Sequence, residues 1–219
     1  MTHRWTRQAV LTAAGGLVHH QRRTITSLLL WPTGGRHGVR EGDRAFGYLR
    51  GEVPVMLAML LVLVLEGAAM AFLIPWPVVH LAALVLHVGL VAQVLGSVAA
   101  GITRPHVVSA GELRVRYGAA FDLRIPLHLI TGVRLDRRVH DGGTVRLDGD
   151  RLEVVVSART SVTVELAEPV PVTLPLGRTG AASLVRLHAD DPGEFVRTLS
   201  ARLRAAGTGD EPVTQDRAR

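Results

Sequence analysis

The sequence predicts an α+β membrane protein: a two-helix transmembrane hairpin joined to a small cytoplasmic β-barrel or sandwich that a C-terminal helix closes. Three observations predict it. Residues 54–100 are almost continuously apolar, broken only at Pro75-Trp76-Pro77 and carrying one formal charge, Glu66. Beyond Gly101 the apolar residues change to a period of two, the spacing of strands with one buried face. Asp191-Pro192-Gly193-Glu194 then opens a single amphipathic helix, with an N-cap, a proline in the first helical position and a capping-box glutamate.

The apolar run is about twice what a hydrocarbon core of ~30 Å asks of one helix. It therefore divides into two spans, residues 54–74 and 78–100, joined by the proline turn. A carboxyl group inside a bilayer is costly and needs a partner. In a tight antiparallel hairpin centred on Trp76, Glu66 lies level with His87, and the two are expected to form an intramembrane polar pair near mid-bilayer. His80 lies one heptad before His87 on the same helical face. On roughly the opposite face Gly89, Ala92, Gly96 and Ala100 fall within about 80° of arc, a small-residue stripe that lets helices approach closely. If the histidine face packs on the first helix, the stripe is left for another copy, so a homo-oligomer or a membrane-protein partner is expected. The His80/His87 spacing is poor for haem, whose paired ligands face each other across a bundle, and no cofactor is expected.

Charge sets the orientation. All 25 basic residues are arginine, and the formal net charge is +6. Residues 1–52 hold eight arginines against Glu41, Asp43 and Glu52, so the excess sits before the first span. Arg36, Arg40, Arg44 and Arg50 precede that span, Arg104, Arg114 and Arg116 follow the second, and the proline turn has none. The positive-inside rule then puts both termini in the cytoplasm of a multi-pass inner-membrane protein, with Trp76 as an anchor at the far interface. An anionic leaflet is a simpler partner for this charge than nucleic acid, for which no recognition motif exists.

Residues 1–52 read as a basic segment with short interfacial helices around Val10–Val18 and Ile25–Trp31. A signal peptide is rejected, because His19-His20-Gln21-Arg22-Arg23 stands where small residues should precede cleavage. Cysteine is absent, which excludes disulfides and thiolate metal sites.

Residues 102–205 form the β domain. Strands are expected at 112–117, 121–126, 129–136, 144–147, 151–156, 161–166, 170–174 and 183–188, separated by turn signals such as Asp141-Gly142-Gly143 and Asp148-Gly149-Asp150. The helix over 192–205 buries Phe195, Val196, Leu199 and Leu203, and residues 206–219 form a tail without a core pattern. Arg104-Pro105-His106, the stretch from Gly111 to Gly118 and Ile125-Pro126-Leu127 before Ile130 resemble bacterial membrane proteins with a pleckstrin-homology-like (PH-like) domain after a transmembrane hairpin. The resemblance covers roughly residues 54–204. It implies a PH-like domain whose C-terminal helix plugs one end of a bent sheet.

Arg114, Arg116 and Arg124 share the polar side of the first β-hairpin and are candidate contacts for anionic lipid together with Arg36, Arg40, Arg44 and Arg50. Glu112 and Asp122 stand beside them, so a solvated sheet face is the plainer account. Enzyme signatures are missing: there is no GxGxxG, Walker A, HExxH or GxSxG, and His128, His140 and His188 have no metal-ligand spacing. The function expected is a non-catalytic scaffold or regulatory module that binds protein or lipid at the membrane. The alternative is a small oligomeric transporter or proton-coupled protein that uses Glu66 and His87.

Overall fold

The computed structural model describes residues 38–207. The expected interfacial helices, Arg36 and most of the C-terminal tail lie outside them. Along the chain come β1 (Arg44–Phe46), α1 (Val53–Leu73), α2 (Pro77–Thr103), β2 (His106–Val108), β3 (Glu112–Tyr117), β4 (Phe121–Pro126), β5 (Ile130–Val139), β6 (Val145–Asp148), β7 (Arg151–Val154), β8 (Arg159–Thr173), β9 (Thr179–Leu187) and α3 (Pro192–Gly207). Short 3-10 turns at Leu127–Leu129 and Pro175–Gly177 complete the described residues. The class is α+β, with three α-helices and two sheets among the described residues.

α1 and α2 are long and apolar enough to cross a bilayer. A core helix of a water-soluble protein would be mostly covered, yet α1 has no buried residue and Phe72 is 90% exposed. In α2 the buried residues are His87 and a group from Gly96 to Thr103 next to the β unit. An exposed apolar surface of this size marks a contact with a membrane or another protein.

The β unit is two sheets in the orders β1-β2-β3-β4 and β5-β8-β9-β7-β6. They share one core, to which Leu113, Val115, Phe121, Leu123 and Ile125 contribute from the first sheet and Val154, Val162, Val164 and Val185 from the second. In β3 and β4 those side chains alternate with polar ones, as the period of two requires. Among the described residues no closed barrel forms, which corrects that part of the expectation. Among the described residues every ladder is antiparallel except β7 with β9, which is parallel.

Two expected strands, 161–166 and 170–174, are one long strand, β8, with a register irregularity between Glu165 and Val170. Residues 175–182 are the tip and return of a β8–β9 arm, with Thr173 opposite Thr179. α3 begins where Asp191 Oδ1 accepts the Glu194 backbone N–H at 2.9 Å. Its Phe195 and Leu199 are fully buried, and the Phe195 ring meets Phe46 of β1 edge-on at 5.1 Å.

The boundary read at residue 102 does not separate hairpin from β domain. Residues 44–46 pair antiparallel with 106–108, Ala45 opposite Val107. The helical hairpin is thus an insertion between two neighbouring strands of one sheet. Three residues are too few to show a period, and their partner lies beyond both helices, so the sequence did not reveal β1.

Candidate functional site

Both ends of the hairpin meet the β unit at a compact junction. Leu49 seats its side chain where a Cβ on Gly101 would lie, so any larger residue there forces Leu49 to shift. Tyr48 is buried against the His106 ring, 4.8 Å between centroids, and its hydroxyl accepts the Gly118 backbone N–H at 2.7 Å. Gly118, with φ +49, belongs to the β3–β4 turn and also approaches Ala100 near the end of α2.

His106 is fully buried. Its Nδ1 accepts the Arg116 backbone N–H at 3.1 Å, so Nε2 carries the proton and donates it to the His188 carbonyl at 2.9 Å. That tautomer is neutral. Burial, reinforced by the charge of Arg116, pushes the imidazole down to about 4, against a smaller upward pull from the His188 carbonyl. Burial likewise pushes the Tyr48 phenol up. The junction is a packed neutral core bounded by arginines, without a nucleophile–base pair.

The arginines proposed to meet lipid divide into two groups. Arg114 is held by Asp122 through two bonds, Nε–Oδ1 at 2.7 Å and Nη2–Oδ2 at 2.6 Å. Arg116 is 2% exposed, its Nε 3.8 Å from Asp122, and burial followed by the neighbouring Arg114 lowers its pKa to about 10. The segment before β1 covers this face of the sheet, with Gly38 directly against the Arg116 guanidinium. Neither Arg114 nor Arg116 is turned outward, which corrects the expectation of a shared solvated face. Arg124 is exposed and lies 3.7 Å from Glu112. Arg40, Arg44 and Arg50 are exposed.

Within the hairpin, His87 packs on Gly67 rather than on Glu66. Its Nε2 is buried without a hydrogen-bond partner among the described residues, and the Glu66 side chain is exposed. The expected polar pair does not form within one chain: at this helix spacing the imidazole drops into the gap that glycine leaves, one residue from the carboxyl. His80 Nδ1 lies 3.4 Å from the Ile74 carbonyl across the proline turn. His80 and His87 line the same apolar cleft between the helices, of about 190 Å³. Of the small-residue stripe, Gly89 and Ala92 are exposed, Gly96 is buried, and Ala100 is buried beside Gly118.

An ionic network on the larger sheet gave no signal in the sequence. Glu153, nearly buried, accepts Arg186 Nη1 at 3.1 Å and Arg146 Nε, with His140 Nδ1 at 3.3 Å. Burial alone would raise the Glu153 pKa, but Arg146, His140 and Arg186 together hold it below the usual carboxylate range. Asp136 joins Arg138 and Thr163 on the same sheet. The charged residues come from β5, β6, β7 and β9, so only the strand order brings them together.

No family model, curated protein or solved structure matches this chain. Among the described residues, no group of three or more His, Cys, Asp or Glu is placed to hold a metal ion.

Proposed function

We propose that this chain is a non-catalytic inner-membrane protein whose hairpin holds a β domain against the bilayer, where the domain serves as a protein- or lipid-binding scaffold or regulatory module. The observation that carries this reading is the insertion of the apolar hairpin between β1 and β2, with Leu49 locked on Gly101. An anchor attached by a single flexible linker lets its domain swing. Two connections joined by a strand pair fix which surface of the domain faces the lipid. The PH-like likeness adds a domain class known for binding at membrane surfaces, and the arginine distribution argues for cytoplasmic termini.

The exposed part of the stripe, at Gly89 and Ala92, supports a homo-oligomer. The proton-relay alternative requires contact between Glu66 and His87, which they do not make within one chain. Crosslinking and affinity purification from native membranes test the scaffold reading. Recovery of the same protein or lipid partners with the full chain, lost when residues 53–103 are deleted, is the expected result. Recovery of none, from a chain that fractionates with membranes, overturns it.

A further inference from the structure

We propose that a groove beside the entry to the hairpin binds the phosphate headgroup of an anionic membrane lipid. This rests on reading α1 and α2 as membrane-spanning. The groove, of about 420 Å³, is lined by Arg137, Arg138 and Val139 at the end of β5, Arg159 at the start of β8, and His188 and Asp190 between β9 and α3.

Its position is fixed by hydrogen bonds to the chain entering the first helix. Asp190 Oδ1 accepts the Arg50 backbone N–H at 3.0 Å, three residues before Val53. Glu52, which immediately precedes α1, accepts the Ser157 backbone N–H at 2.7 Å, two residues before Arg159. The groove therefore lies level with the start of the span, in the layer that headgroups occupy outside the hydrocarbon core.

Its chemistry suits a phosphodiester. In a regular strand Arg137 and Arg138 would point to opposite faces. The register irregularity in β5 between Leu135 and Arg138 lets both line the groove. Arg138 is engaged by Asp136. Arg137 and Arg159 are exposed and make no ion pair among the described residues. Asp190, the acid among the described lining residues, accepts the Arg50 backbone N–H through Oδ1. His188 Nδ1 is buried and makes no hydrogen bond among the described residues. Val139, 76% exposed beside the arginines, supplies the apolar contact that a glycerol backbone would cover. The hollow around Arg40, Arg114 and Arg124 is a weaker candidate, because Glu41, Asp43 and Glu112 line it as well.

The test uses the full chain in detergent micelles, offered a mixture of phosphatidylglycerol and phosphatidylcholine and read by native mass spectrometry. Phosphatidylglycerol should be retained selectively. Arg137→Gln/Arg159→Gln should weaken its retention roughly ten- to thirtyfold, from the loss of two surface cations. The charge-matched Arg178→Gln/Arg197→Gln should leave retention unchanged, and both variants should keep the parent melting temperature. Equal retention of phosphatidylcholine, no effect of the Arg137/Arg159 pair, or an equal effect of the control pair overturns the site. Displacement of the lipid by millimolar inorganic phosphate assigns the groove to soluble phosphates and overturns the lipid assignment. A chain that stays dispersed without detergent sinks the membrane-spanning reading instead, so the two failures are distinguishable.

Discussion

His106 couples the two ends of the junction through its two ring nitrogens, and its charge state matters to folding. Its pKa falls from the ordinary 6.5 to about 4 in the folded chain, so the unfolded chain binds more protons between those values. Stability is therefore full above pH 6.5 and declines as pH drops toward 4, by roughly 3 kcal/mol over the window. Melting followed by circular dichroism should show this slope, and His106→Gln should flatten it; an unchanged slope in the variant contradicts the assignment. Glu153 acts in a lower window. Its folded pKa is depressed, so its contribution is complete above the ordinary carboxylate value and fades as pH falls below it. Glu153→Gln at pH 7 leaves Arg186 buried beside a neutral amide and should cost about 3 kcal/mol in denaturant unfolding. At the turn between β7 and β8, Ser157 and Ala158 hold φ of 50° and 56°, a conformation that glycine adopts without strain. Ala158→Gly should accordingly stabilise the chain by about 0.5–1 kcal/mol.

At the scale of elements, the docking of the hairpin depends on the fit of Leu49 into the space left by Gly101. Gly101→Val should cost about 1–3 kcal/mol through overpacking. Leu49→Ala in the same chain should recover part of that loss, a coupling that a double-mutant cycle measures; strict additivity would contradict the fit. Elements whose own residues carry a period were legible in the sequence. β3 and β4 start and end at the residues that their alternation marks, and α3 starts at its Asp-Pro-Gly-Glu signal. Elements defined by a distant partner were not. β1 shows no pattern of its own, and the parallel pairing of β7 with β9 follows from strand order alone. The same limit applies to side chains. Arg116 and Arg124 look alike in an alternating strand, yet the segment carrying Gly38 covers one and leaves the other open. His87 packs on Gly67, one residue from Glu66, because the glycine there offers the room.

For the whole molecule, the interleaving of hairpin and sheet makes the β domain discontinuous in sequence. A fragment of residues 102–207 lacks β1, Tyr48 and Leu49, and so exposes the edge of β2 and uncovers His106. It should be expressed unfolded or aggregated, whereas a fragment that joins residues 38–52 to 104–207 through a short glycine linker should fold. Stable folding of the first fragment would contradict the role of β1. The account as a whole depends on the two apolar helices crossing the bilayer with the β domain on the side opposite Trp76. Because the chain has no cysteine, single cysteines placed at Trp76 and at Arg178 can be labelled in intact cells with a membrane-impermeant maleimide. The account predicts that Trp76→Cys reacts at once and that Arg178→Cys reacts only after permeabilisation. Equal reactivity of the two positions, before or after permeabilisation, would contradict it.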